Sequence, residues 1–160
     1  MQSEGIFKPL LIAFGVALLG YGLMFGCDRH LRTHKGAWEL TFSMTAEGLP
    51  ILTIDQPYHR IRKVSLVIEG EQYQGPTKRL SFDDPSVSIP FGEIVFLDTT
   101  YLPGSISLDL FGHLVDLMPH KITINLKAVP WKEGELIRLR PEEAASRLVP
   151  DLPATAITGE

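Results

Sequence analysis

From Pro9 to Cys27 the chain reads PLLIAFGVALLGYGLMFGC, 19 residues without a charge. Lys8 precedes this run, and Asp28, Arg29, Arg32 and Lys35 follow it. As a helix rising about 1.5 Å per residue it nearly spans a hydrocarbon core of about 30 Å, and Ile6 and Phe7 lengthen it. A secretory apolar region is usually shorter, about 7 to 15 residues. Pro9 falls in the first helical turn, where its missing N–H costs nothing. The expectation is a single transmembrane helix over 9–27 behind a short N-terminal tail, 1–8.

Cys27 raises the alternative of a lipidated leader. Bacterial lipoprotein signals place small residues directly before the modified cysteine; here Met24 and Phe25 stand before Gly26. Phe25 and a leader whose only basic residue is Lys8 disfavour lipidation of Cys27. Haem attachment of the Cys-x-x-Cys-His kind lacks its second cysteine. Cys27, His30 and His34 have helical spacing. His30 and His34 are read instead, with Arg29, Arg32 and Lys35, as a basic juxtamembrane collar over 28–35.

Gly15, Leu19, Gly22 and Gly26 recur at intervals of four, three and four along one stripe. Gly22 and Gly26 form a small-xxx-small pair that lets a second helix approach closely. This predicts a helix-contact face and partner subunits within the membrane.

Sidedness is drawn both ways. One Lys precedes the run and three cations follow it, which favours a cytoplasmic domain by the positive-inside rule. The N-terminal amine narrows that difference, and small β-domains on single-pass bacterial proteins more often face outward. The expectation is the cytoplasmic (inner) membrane with the domain on the extracytoplasmic, periplasmic side.

Past Lys35 the pattern switches to a period of two. Trp38, Leu40, Phe42 and Met44 alternate with polar or small residues, as do Val64, Leu66 and Ile68, then Ile106, Leu108 and Leu110, then Ile122, Ile124 and Leu126. VSIP, HLVDLM and ELIRLR read as further strands. GEIVFLD, apolar on both faces, reads as a central one. Eight to ten short strands with frequent turn signals predict an all-β domain over 36–140, an antiparallel β-sandwich or small barrel. RPEEAASRLV, with Pro141 in a first-turn position, predicts a short helix over 141–149, ahead of a proline-broken flexible tail, 150–160.

Charge and composition then narrow the function. Residues 1–35 carry four Lys/Arg against two acids, and residues 36–160 carry eleven against seventeen. No concentrated basic face exists for phosphate backbones, so no nucleic-acid partner is expected. A single cysteine allows no intrachain disulfide, Cys-based zinc site or iron–sulfur cluster. No G-x-S-x-G elbow, Walker loop, H-E-x-x-H or dinucleotide fingerprint occurs. Ser105 in PGSIS has no base nearby in sequence.

His113, Asp116 and His120 are the nearest thing to a metal or acid–base group. An offset of three puts His113 and Asp116 on opposite faces of a strand, so they are read as exposed turn and edge residues. Asp83 and Asp84 lack the ligand spacing of a calcium loop and read as a solvated turn. Asp109, with His113 and Asp116, is where a hidden enzyme would be sought, but a non-catalytic protein without cofactor or metal is expected. Tyr58, Tyr101, Leu102 and Trp131 sit on loops and are candidate interface residues. The expected function is an accessory subunit of a larger membrane assembly, contacting lipids and other subunits; the alternative is an anchored ligand-binding domain for glycan or lipid.

Overall fold

The computed structural model describes residues 4–144. The chain divides into two compact units, one ending at His34 and one beginning at Lys35.

The first unit is a single helix, α1 (Glu4–Thr33), 30 residues long. It does not stop at Cys27. Arg32 pairs with Asp28 one turn away at 2.9 Å, the His30 and His34 rings lie 5.8 Å apart, and the His34 N–H donates to the His30 carbonyl. These contacts carry the helix through the collar, and Gly36, at φ +74°, lies beyond its end. α1 is long and apolar enough to cross a membrane, a property shared by signal sequences.

Among its described residues the second unit holds ten strands in two five-stranded sheets. The first sheet contains β1 (Glu39–Met44), β2 (Pro50–Gln56), β3 (Ile61–Ile68), β4 (Lys78–Ser81) and β10 (Leu136–Leu139), in the order β10-β3-β2-β1-β4. All its pairings are antiparallel except β10 with β3. The β1–β2 turn is pinned by Thr45, whose hydroxyl accepts the N–H groups of Glu47 and Leu49. Pro50 opens β2, a position where a strand tolerates proline.

The second sheet is a meander of β5 (Glu93–Leu97), β6 (Ile106–Leu110), β7 (His113–Met118), β8 (Lys121–Ile124) and β9 (Lys127–Val129). Its last three hairpins have two-residue turns at 111–112, 119–120 and 125–126. Phe111 and Gly112 take φ of 55° and 86°, and Asn125 and Leu126 take 50° and 68°. Positive φ at both central positions matches the right-handed twist of paired strands.

Alternation places the core. Trp38, Leu40 and Phe42 from the first sheet and Ile106, Leu108 and Leu110 from the second join one hydrophobic cluster with the inward residues of β2, β3, β7 and β8. Three elements differ from the sequence reading. GEIVFLD forms an edge strand, β5, rather than a central one. A register irregularity between Ile94 and Phe96 leaves Val95 59% and Phe96 54% exposed, which is why both faces read apolar. KITINLKAV breaks into β8 and β9 because the turn takes Asn125 and Leu126, so Leu126 is exposed rather than inward. VSIP forms no strand, although Val87 and Ile89 still pack against the core.

Of the helix expected over 141–149, the described residues show only a 3-10 turn. Pro141–Glu143 makes a single 3-10 turn whose preceding residue, Arg140, offers no side-chain cap, and Ala144 has already turned extended at ψ 133°. Proline preorganises a first turn, but no capping oxygen propagates it. Residues 145–149 and the tail over 150–160 lie outside the described residues, as does the start of the 1–8 segment.

Candidate interface at the proximal end

The two sheets have a proximal end, where residue 35 lies, and a distal end. β1 starts, β2 ends and β3 starts proximally, and the parallel partner β10 starts there too. Across the core, the Trp38 indole N–H donates to the Gly104 carbonyl at 2.7 Å, its ring lies 5.6 Å from that of Trp131, and the His59 ring lies 6.0 Å from that of His120. The segments 56–61, 98–105, 118–120 and 130–135 therefore share the proximal end with Lys35. All four candidate interface residues fall on it.

Gln56 organises this end. Buried at the close of β2, its amide NH₂ reaches the carbonyls of Lys35 (3.2 Å), Gly36 (2.9 Å) and Ala37 (2.9 Å), and its Oε1 accepts the Tyr58 N–H (2.9 Å). One side chain thus fastens the incoming chain and caps the turn Pro57–His59. Arg60 closes that turn in the left-handed region at φ 59°. Tyr58 stands 55% exposed, with Lys35 Nζ 5.7 Å from its ring centroid.

The other three residues differ in setting. Tyr101 is 55% exposed. Leu102 is half-buried beside Pro103, and the same loop is bracketed by an Asp98 N–H to Ser105 carbonyl bond. Hydrogen bonds from Thr100 hold the Asp98 carboxyl below the usual carboxylate range. Trp131 is half-buried against Trp38 and donates its indole N–H to the Met118 carbonyl at 3.1 Å, so much of its ring closes the core.

The candidate acid–base residues are not brought together. Asp116 accepts the Ser107 hydroxyl at 2.6 Å, and His120 lies exposed in the β7–β8 turn. His113 is at the distal start of β7, in the middle of its sheet and 1% exposed, not at an edge. The turn residues after Phe111 gave it the look of a surface position. Asp84 accepts the N–H and hydroxyl of Ser86 in an exposed turn, which lower its pKa; Asp109 accepts the Gly112 N–H. Cys27 is a free, exposed thiol within α1. Gly15, Leu19, Gly22 and Gly26 lie on α1, and nothing packs within 4 Å of a Cβ placed on any of the three glycines. Among the described residues no three His, Cys, Asp or Glu side chains are placed to hold a metal.

His113 and Asn125 form a pair that pattern reading missed, since their proximity depends on a two-residue hairpin. The Leu114 N–H donates to Asn125 Oδ1 (3.1 Å), which turns the amide NH₂ toward His113 Nδ1 (3.0 Å). Nδ1 therefore accepts, and the ring proton belongs on Nε2. Burial pushes the His113 pKa down, against an upward pull from Glu143 and Asp109. Because the native pKa lies below the unfolded value of 6.5, the unfolded chain takes up the proton first as pH falls. The stability carried by neutral His113 is complete above that value and is lost as pH drops through the native pKa. The melting temperature is expected to fall from about pH 7 to about pH 5, and His113→Gln should flatten that slope. An identical slope in the variant would remove His113 from this role. Comparison with known proteins finds no family model, no curated protein and no solved structure that matches the chain.

Proposed function

We propose that the chain is a single-pass protein of the cytoplasmic membrane whose two sheets pack as a small sandwich serving as a non-catalytic interaction module, an accessory subunit of a larger membrane assembly. One observation carries this reading. Every large apolar side chain of α1 from Ile6 to Leu31 is exposed, whereas the β-unit closes its own core. An apolar surface of that length needs lipid tails or another helix against it. The continuation of the helix through Cys27 supports a span over a lipidated leader, and we place the domain on the extracytoplasmic side.

On this reading the stripe of Gly15, Leu19, Gly22 and Gly26 faces a partner helix. Purification in mild detergent should recover a stoichiometric partner, and the double variant Gly22→Leu, Gly26→Leu should lose most of it. A clean monomer whose glycine variants behave as the parent does would remove the subunit reading.

The alternative, an anchored domain binding glycan or lipid, is favoured by a cleft between the open edges of β9 and β10. Ile124, Val129, Ile137 and Leu139 line it, with Lys127 and Glu142 among its polar residues. Its volume of about 290 Å³ sits at the bottom of the range of small-molecule pockets. A rise of several degrees in melting temperature with one member of a glycan and lipid panel would favour this reading over the first.

A further inference from the structure

The proximal corner around the turn Pro57–His59 concentrates positive charge on a domain that is acidic as a whole. Lys35 Nζ lies 5.7 Å from the Tyr58 ring centroid, Tyr58 and His59 meet edge-on at 5.3 Å, and His59 meets His120 at 6.0 Å. Arg60 stands exposed at the end of the turn. Among the described residues of this unit, the ion pairs Arg79–Glu39, Lys132–Glu135 and Arg138–Glu69 take neither Lys35 nor Arg60. His59 Nε2 is enclosed with no hydrogen-bond partner. Burial, then Lys35, then His120 push the His59 pKa down.

We propose that this corner, Lys35, Tyr58, His59, Arg60 and His120, docks on the phosphate-bearing headgroups of anionic lipids. The proposal rests on the reading of α1 as a membrane span. Lys35 follows Thr33, the last residue of α1, by two positions in the chain, and Arg60 and Tyr58 belong to the turn whose Gln56 holds residues 35–37. Two cations supply the attraction to lipid phosphate. The exposed Tyr58 supplies an amphipathic ring of the kind that settles at headgroup level. His59 and His120, whose rings lie 6.0 Å apart, stand beside these cations and report on the docked surface.

The test uses the full chain in nanodiscs of phosphatidylcholine alone or with phosphatidylglycerol, each doped with a headgroup-spin-labelled lipid, and reads paramagnetic broadening of the histidine ring signals. His59 and His120 should broaden strongly with phosphatidylglycerol and weakly without it, while distal His113 should not. Reversing Lys35 and Arg60 to glutamate should weaken docking by about fivefold per cation, and Lys78→Glu on distal β4 should leave it unchanged. Millimolar inorganic phosphate should not compete, since the ligand is the charged lipid surface. Equal broadening in both compositions, or in parent and reversed variant, overturns the proposal. Vesicle flotation of the same protein separates the two readings: a chain that floats without broadening loses the docking site and keeps the span. A chain that fails to float loses both.

Discussion

Gly104→Ala is expected to cost the β-domain about 3 to 5 kcal/mol, because the added methyl group has nowhere to go. A Cβ at position 104 would be built well inside the van der Waals radius of the Asp98 carbonyl oxygen, with the Tyr101 carbonyl also close. The obstacle, the Asp98 carbonyl group, is backbone, so no side chain can swing aside. The loop is fixed from both ends by the bond from the Asp98 N–H to the Ser105 carbonyl and by the Trp38 indole on the Gly104 carbonyl. Relief would mean giving up at least one of these. For a domain of this size the melting temperature should drop on the order of 15 °C by circular dichroism. A variant melting within about 3 °C of the parent would show that the loop can yield and that this packing is not obligatory.

Trp38→Ala should cost a similar amount, about 3 to 5 kcal/mol, by a different route. The indole is fully buried among strands of both sheets, so its removal opens a cavity. It also orphans the Gly104 carbonyl, itself buried, and strips Trp131 of the ring it leans on. Denaturant unfolding followed by circular dichroism should show a lower midpoint, and Trp38→Phe should recover part of the loss by refilling the space without restoring the hydrogen bond. Because positions 38 and 104 share one hydrogen bond, the double variant should lose less than the sum of the two singles. Strict additivity would mean that the indole and the loop act independently, against the geometry.

Much of the architecture was legible from residue spacing because single-sided burial leaves a period of two. Trp38, Leu40 and Phe42 read correctly as one inward face for that reason, and so did Ile106, Leu108 and Leu110. The misreadings share a physical origin. An irregular register in β5 mixes inward and outward apolar residues, and this resembles a strand covered on both sides. A two-residue turn at Asn125 and Leu126 does not disturb the alternation of KITINLKAV, because the chain reverses without breaking the count. His113 carries a polar side chain next to turn residues, and only the pairing of β7 with β8 supplies the asparagine that lets it be buried.

The candidate interface was half legible. Aromatic loop residues were visible in the sequence, but their gathering at one end depends on strand order and on contacts such as Trp38 with Gly104. The grip of Gln56 on residues 35–37 was hidden, since a lone glutamine in a strand pattern gives no sign of what its amide will find. Pro141 gave a sound hint of a helical turn, which among the described residues is the 3-10 turn Pro141–Glu143.

The parallel pairing of β10 with β3 sets an order of events during synthesis. The ribosome releases β1, β2 and β3 long before residues 136–139 leave the exit tunnel. Until then the outer edge of β3 is without the strand that covers it, and its run from Val64 to Ile68 is rich in β-branched and aliphatic side chains. Such an edge invites pairing with other chains. The nascent protein therefore passes through an interval in which one half of its β-unit is translated but unsealed, and a chaperone or the tether to α1 has the most to protect in that interval.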